Sequence, residues 1–139
     1  MMAQPYKGIC YCTSLRRSAA AISDFYNASL EPAGLTVAQY YLLVNLSRFG
    51  AANITQWAEQ VGLDRSTMVR NIKVLQAHDL IETIEGRGKT FALSSEGRRV
   101  LALATPLWED AQKQTESLLG RANAEAIFLI GEKLQGLGR

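Results

Sequence analysis

The sequence predicts one mainly α domain with a small β-hairpin. Three observations lead to this fold class. Apolar residues recur at three- and four-residue steps near both ends of the chain, two short helical segments surround a turn at Gly62, and a glycine-rich loop separates two β-branched runs. The 139 residues suit a single domain, and a composition of 47% apolar and 20% charged residues is typical of a folded globular protein.

The first helix is predicted from an apolar stripe that begins at Cys12 and ends at Leu30. Pro32 and Gly34 follow directly and are expected to end it. A second helix is predicted to begin near Thr36, because threonine is a favoured N-cap residue.

Two further helical segments, 55–61 and 65–78, are separated by a three-residue turn that contains Gly62. Such a pair is the pattern of a helix-turn-helix, in which the second helix lies in the major groove of DNA. Asp64 is expected to cap this second helix and to complement its dipole. An apolar inner face is supplied by Leu63, Met68 and Ile72.

The outward-facing residues of the second helix are the candidates for contact with DNA. Arginine can bond guanine in a bidentate way, and serine or threonine can bond bases or phosphates. These candidates are Arg65, Ser66, Thr67, Val69, Arg70 and Lys73. For the helix pair alone, the alternative is a solvated face on a helical hairpin that binds nothing.

Runs 80–84 and 89–93 predict the two strands of a hairpin around a glycine-rich loop. Arg87 and Lys89 place positive charge at the tip and beside it, which suits the minor groove or its flanking phosphates. The alternative is an ordinary hairpin with solvated charges. Beyond the hairpin, an apolar stripe predicts a long helix with a kink at Pro106, and a last helix follows over roughly 122–134.

This arrangement resembles the MarR family of winged-helix regulators over nearly the whole chain. The resemblance rests on Gly34-Leu35-Thr36, Gln39-Tyr40, Leu43, residues 54–58, residues 62–67, Leu75 and Leu80-Ile81. Its most specific part is the hairpin, where Glu85-Gly86-Arg87 is followed by Leu93-Ser94-Ser95-Glu96-Gly97. The family more often has Asp at Glu85, Thr at Ser94 and Gly at Asp79. Asp tolerates a left-handed backbone better than most residues, and the alternative at Asp79 is a slightly different helix end.

The resemblance implies a single domain, 1–139, with a winged helix-turn-helix over 36–97 flanked by dimerisation helices over 9–31 and 98–137. It also implies an obligate homodimer that places its two winged helices in successive major grooves of pseudo-palindromic double-stranded DNA. Independently, the apolar stripes at both ends exceed what a small winged helix needs to cover itself. The expected function is therefore sequence-specific regulation of transcription, most simply repression.

Two signals are candidates for releasing the DNA. Some relatives sense organic hydroperoxides through a cysteine near the start of the first helix, and the resemblance places Cys12 there, with Arg16 one turn away and Tyr26 matching one helper tyrosine. The alternative is that Cys12 is a small buried hydrophobe. The other candidate is an aromatic or amphiphilic inducer bound between the dimer helices and the winged helix.

Other classes of function have less support. A thiol peroxidase built around Cys12 is one alternative, but the sequence holds no Ser-His-acid set, metal cluster or phosphate loop, so we expect neither an enzyme nor a metal or cofactor. A winged helix that binds protein is the other, and the five Arg and Lys residues on the predicted DNA face argue against it. The chain has a net charge of +2, no apolar run near the ~18 residues of a membrane span and no recognisable signal peptide, so we expect a cytoplasmic protein.

Overall fold

The computed structural model describes residues 9–86 and 89–138. Within these residues it contains six α-helices and one three-stranded sheet. The helices are α1 (Tyr11–Leu30), α2 (Val37–Phe49), α3 (Ile54–Val61), α4 (Arg65–Ala77), α5 (Ser95–Leu119) and α6 (Arg121–Gln135), and the strands are β1 (Ala52–Asn53), β2 (Ile81–Ile84) and β3 (Thr90–Leu93). The prediction of a mainly helical fold with a hairpin is confirmed.

The helices of the central unit begin at side-chain caps. Thr36 caps α2 in a capping box with Gln39, and Asn53 caps α3 in a second capping box with Gln56. Each pair satisfies two backbone N–H groups that the first turn of a helix leaves without partners. The N-cap predicted at Thr36 is therefore confirmed, and a local hydrogen-bonding reason fixes where α3 begins.

The sheet is antiparallel with β3 in the middle. The hairpin of β2 and β3, which we call the wing (residues 81–93), pairs Ile81 with Leu93. On the other side of β3, Ala52 of β1 pairs with Phe91. Sequence analysis missed β1, because two residues cannot show the alternation of a strand.

The core lies where α2, α3 and α5 meet the sheet. Trp57 is fully buried, and its indole Nε1 donates a hydrogen bond to the carbonyl oxygen of Leu42, 3.0 Å away. Tyr40 of α2 stacks on Trp108 of α5 with ring centroids 5.7 Å apart. These contacts join the first half of α5 to the winged helix. The helix itself continues through Pro106, and a kink there stays a prediction.

The two ends of the chain leave their apolar faces open in the single copy. None of the α6 side chains is buried, although α6 carries Ile127, Phe128, Leu129 and Ile130 in succession. In α1 the buried residues are Tyr26 and Leu30, near its C-terminal end, while Leu15 and Ile22 stay exposed. A helix that is apolar around its circumference is normally covered by other protein. In the described ranges, no helix is both long and apolar enough to cross a membrane.

Candidate nucleic-acid interface

The turn between α3 and α4 sets the direction of α4. Gly62 ends α3 in the left-handed conformation, with φ at 73°, where a side chain would be strained. The backbone N–H of Leu63 then donates to the carbonyl oxygen of Ala58, 3.0 Å away. Met68 and Ile72 are buried as a result. The inner face predicted for α4 is therefore confirmed, and the opposite face of the helix is turned outward.

The first turn of α4 is organised by Asp64. Its Oδ1 accepts hydrogen bonds from the backbone N–H of Thr67, 2.7 Å away, and from the hydroxyl of Ser66, 2.9 Å away. The Thr67 backbone bond is the main reason that the pKa of Asp64 is lowered, and the Ser66 and Thr67 side chains add to the effect. The predicted cap is confirmed. It holds the Ser66 hydroxyl beside the N-terminus of α4.

A groove runs between the start of α3, the outer face of α4 and the base of the wing. We call it the α4 groove; its volume is about 540 Å³. Four of the predicted DNA-contact residues line it, namely Arg65, Val69, Lys73 and Lys89. The structure therefore places residues of α4 and of the wing around one groove. The sequence analysis had only inferred that these two segments lie together.

The remaining candidates lie outside the lining of the α4 groove. Ser66 is exposed and Thr67 half-buried on the first turn of α4. Arg70 is exposed, and its Nη2 donates to the hydroxyl of Thr67 at 3.3 Å. Arg87 falls outside the described residues.

Sequence analysis missed four polar residues that line the same groove. They are Asn53 and Thr55 at the start of α3, Gln76 on α4 and Thr83 on β2. Gln76 follows Lys73 by three residues and could have been found from helical periodicity. The other three depend on contacts between segments that are distant in sequence.

The charge in the α4 groove has one sign. Its eleven lining residues include Arg65, Lys73 and Lys89 and no acidic side chain. A concave surface lined by cations raises the local concentration of an anionic partner. The polar side chains around them can donate hydrogen bonds to phosphate oxygens or to base edges.

The wing is held against α5 by a close backbone approach. Asp79 has a φ of 57°, so the backbone is left-handed there, which is one of the two helix ends that the sequence analysis left open. The N–H of Ser94 donates to the carbonyl oxygen of Leu80 at 3.1 Å. A Cβ on Gly97 would lie 2.0 Å from the same oxygen. A glycine is therefore required at this position for α5 to pass over the base of the wing.

The two cysteines lie at the start of α1. Cys10 is the N-cap residue and Cys12 is in the first turn, and both are exposed in the single copy. The backbone N–H groups of Thr13 and Cys12 lower the pKa of the Cys10 thiol. Within one copy, Cys12 is therefore not the small buried apolar residue of the alternative interpretation.

The predicted sensing residues are spread along α1. Arg16 lies one turn beyond Cys12, whereas Tyr26 is about 21 Å from Cys12 at 1.5 Å per residue. The Tyr26 hydroxyl donates instead to Oε1 of Gln112 on α5. One chain therefore does not bring Tyr26 to Cys12.

A second hollow lies among α1, α5 and α6. We call it the α1–α5–α6 cavity; its volume is about 280 Å³, and its lining includes Ile22, Tyr26, Gln112 and Phe128. Val37 of α2 also lines it. It lies between the terminal helices and the winged helix, where the sequence analysis expected an inducer pocket, and binding of an inducer there stays a prediction.

The fold and the α4 groove define a winged helix-turn-helix protein of the kind that binds nucleic acid. The chain belongs to the MarR family, whose family model matches residues 33–89. It is 30% identical over 107 residues to an uncharacterized HTH-type transcriptional regulator, YxaD of Bacillus subtilis (strain 168), and the match spans 72% of this chain and 71% of that protein. The chain is thus a DNA-binding regulator of transcription.

Two solved structures share this fold. The transcriptional regulator MosR of M. tuberculosis, in complex with DNA, is 26% identical, with a TM-score of 0.81 over 94% of this chain and 100% of that one. The transcriptional repressor CouR, bound to a 23-mer DNA duplex, is 23% identical, with a TM-score of 0.82 over 96% of this chain and 99% of that one. The second likeness bears on the fold alone.

Proposed function

We propose that a homodimer of this chain binds a pseudo-palindromic operator in double-stranded DNA and represses transcription until a signal releases it. The observation that carries the proposal is the α4 groove, which places three cations and no acidic side chain on the outer face of α4 and the base of the wing. MosR and CouR, with the same fold, have been solved on DNA.

In this proposal α4 lies in the major groove and the wing lies over the adjacent backbone or minor groove. Arg65 and Arg70 read base edges, and Val69 contacts a thymine methyl group. Lys73 and Lys89 pair with phosphates. Further contacts with DNA are assigned from the sequence alone to Ser66, Thr67 and Arg87.

The dimer is supported by the exposed apolar surface of the terminal helices. Phe128 is 72% exposed and Leu118 84% exposed in a single copy. Large exposed apolar surfaces of this kind usually mark an interface with another protein. In the proposed dimer, α1, α5 and α6 of two copies cover one another and hold the two α4 helices one DNA turn apart.

The first test is selection from a random duplex library at near-physiological salt, followed by sequencing of the bound pool. An inverted repeat with half-sites about one helical turn, ~10 base pairs, apart is expected. Weak binding that disappears on addition of salt would leave only a nonspecific basic surface. It would then favour the protein-binding alternative.

The second test assigns roles on the selected operator. Lys89→Ala should weaken all sequences alike and reduce the slope of log affinity against log salt by about 2 in the dimer, since each phosphate contact contributes about 0.9. Arg70→Ala should instead lose discrimination at one or two base positions, about 1–3 kcal/mol each. Lys133→Ala, in the last turn of α6, is the control and should change neither. The assignment of the DNA face is wrong if both test variants bind like the wild type.

The releasing signal is proposed to be either a small molecule in the α1–α5–α6 cavity or an oxidant at Cys12. In the oxidant route a Cys12 thiolate attacks an organic hydroperoxide, which yields a sulfenic acid and an alcohol. Arg16 lies one turn away on α1, and Tyr26 of the second copy is the proposed helper.

The two cysteines can be separated by single variants. Cys12→Ser should abolish release of the operator by cumene hydroperoxide, and Cys10→Ser should retain it. Because the pKa of the Cys10 thiol is lowered, the reverse result would move the oxidation site to the helix cap. Release that survives in both variants would remove the oxidant route altogether.

A further inference from the structure

Two neutral polar residues on different walls of the α4 groove have no part in the recognition of DNA described so far. Gln76 lies on the last turn of α4 and Thr83 lies on β2, and both are exposed in the lining of the groove. Each lies beside a cation of its own wall. Gln76 follows Lys73 by one helical turn, which brings their Cβ atoms ~5–6 Å apart. Thr83 pairs with Phe91, so Lys89, two residues before Phe91, is on the same face of the wing.

The hydrogen-bonding groups of these two side chains are unused. Within the described residues, neither the Gln76 amide nor the Thr83 hydroxyl bonds another protein group, whereas similar side chains outside the groove lining do. Nδ2 of Asn71 donates to the carbonyl oxygen of Thr67 at 2.9 Å. The hydroxyl of Thr90 donates to a carbonyl oxygen of β2 at 3.5 Å. Two N–H groups and one O–H group are therefore available to a partner in the groove.

The position of these donors along α4 favours the DNA backbone over the bases. A recognition helix places its N-terminal residues nearest to the base edges. Gln76 lies ~16 Å along the helix axis from Arg65, beyond the part of α4 that meets the bases. It lies instead on the side of α4 that faces the wing, because the two elements line one groove.

The charge of the groove favours the same partner. Phosphate oxygens only accept hydrogen bonds, so they require donors and cations and are repelled by carboxylates. The described lining of the groove has no acidic side chain. Glu82 of β2 is next to Thr83 in the sequence, and the alternation of side chains along a strand turns it to the opposite face of the wing.

We infer that one strand of the DNA backbone lies along the α4 groove, and that Gln76 and Thr83 each donate a hydrogen bond to its phosphates. Lys73 and Lys89 neutralise the same strand from the two walls. The last turn of α4 and the base of the wing then contribute affinity and position but no sequence preference. The inference rests on the proposed function, in which α4 enters the major groove.

Neutral donors to phosphate have a signature that separates them from cations and from base readers. Gln76→Ala and Thr83→Val should each weaken binding of the selected operator by about fivefold to a hundredfold, because the dimer loses the bond twice. The loss should be the same for the operator and for its base-pair variants. The slope of log affinity against log salt should stay unchanged, since a neutral donor releases no counterion.

The controls carry the same substitutions outside the groove. Thr90→Val lies on the opposite face of the wing, and Gln135→Ala lies at the end of α6. Both should bind the operator like the wild type. Circular dichroism and urea unfolding should show that all four variants fold, since each changes a side chain outside the buried core.

A gain-of-charge variant tests the same contact in the other direction. Gln76→Lys should steepen the salt dependence by about 2 in the dimer, because each new phosphate contact adds about 0.9 to the slope. Gln135→Lys adds the same charge far from the groove and should leave the slope as it is. An unchanged slope for Gln76→Lys would place Gln76 away from the backbone and overturn its assignment.

Methylphosphonates, which remove the charge of one phosphate at a time, identify the phosphate that Gln76 contacts. Where the bond exists, the methylphosphonate should weaken the wild type several-fold but add little to the loss already caused by Gln76→Ala, since interacting groups are not additive. At every other phosphate the two losses should add. Additive losses at all positions of the operator would overturn the inference.

The remaining outcomes separate this inference from the proposed function. A new base preference in an operator selected with Gln76→Ala would make Gln76 a base reader and overturn the inference. If the wild type enriches an inverted repeat and Gln76→Ala and Thr83→Val bind it equally well, the inference is wrong and the proposed function stands. Failure of the wild type to bind any duplex defeats both.

Discussion

At the scale of single residues, the position of the wing depends on one missing side chain. Gly97 lies in the first turn of α5, directly over the carbonyl oxygen of Leu80. Ser94 binds the same carbonyl through its N–H and caps α5 through its hydroxyl, which accepts from the N–H of Gly97 at 2.9 Å. One backbone crossing therefore sets both the start of α5 and the base of the wing.

Gly97→Ala is expected to destabilise the fold by about 3 kcal/mol or more, because its Cβ would lie 2.0 Å from a backbone oxygen that cannot move without shifting β2. Urea unfolding measures the loss. Gly136→Ala is the matched control, since a Cβ there would meet only the Lys133 carbonyl at an ordinary 3.6 Å. If the two variants were equally stable, the backbone of Gly97 would have to lie further from the Leu80 carbonyl oxygen than the structure places it.

At the scale of elements, the caps determine where the two helices of the helix-turn-helix start. Asn53 begins α3 and Asp64 begins α4, so the N-termini of both helices are defined by hydrogen bonds rather than by packing alone. Both ends lie beside the α4 groove, which is lined by Asn53 and Arg65. The hydrogen bonds that begin α3 and α4 therefore also fix the positions of Asn53 and Arg65 in that groove.

The Asp64 cap predicts a dependence of stability on pH. The folded pKa of Asp64 is below its ordinary value of 3.8, chiefly because of the Thr67 N–H. Its ionised form therefore contributes stability above about pH 4, and this contribution is lost as the pH falls through the lower folded pKa. Urea titrations from pH 5 to pH 2 should show a shallower decline for Asp64→Asn, which keeps a cap but cannot ionise.

The control for this slope is Asp24→Asn on an exposed position of α1, which should retain the decline of the wild type. An Asp64→Asn variant with an unchanged slope would mean that other carboxylates carry the acid sensitivity.

At the scale of the whole molecule, the terminal helices do not complete a core within one copy. The buried cluster extends from Leu30 to Ala104, so it includes the winged helix, the end of α1 and the first half of α5. Ile127, Ile130 and Leu134 of α6 remain exposed. These exposed apolar faces of α1 and α6 are the surface that the proposed dimer covers.

Ile130→Asp should shift the protein toward monomer in sedimentation equilibrium and lower its apparent stability in a concentration-dependent way, because it places a carboxylate in the proposed interface. Gln135→Asp introduces the same side chain at a polar position of the same helix and should leave the mass unchanged. A variant Ile130→Asp that sediments as the wild type does would place the interface elsewhere.

The sequence by itself determined the features that depend on neighbours along the chain. Helical periodicity predicted the six helices, Gly62 the turn before α4, and Thr36 and Asp64 the caps. The outward face of α4 could be listed because its inner face was recognisable from Met68 and Ile72. All these signals act over three or four residues, the distance between successive turns of a helix.

Tertiary structure decided what distant segments do together. Pairing with β3 makes β1 a strand, although its two residues carry no strand pattern. The α4 groove joins Asn53, Lys73 and Thr83, which belong to three elements. Gln112 of α5 accepts a hydrogen bond from Tyr26 of α1 across 86 positions of sequence. These contacts depend on how the elements pack and on the direction of the chain. A local pattern of residues cannot specify them, because neither partner is unusual for its own helix or strand.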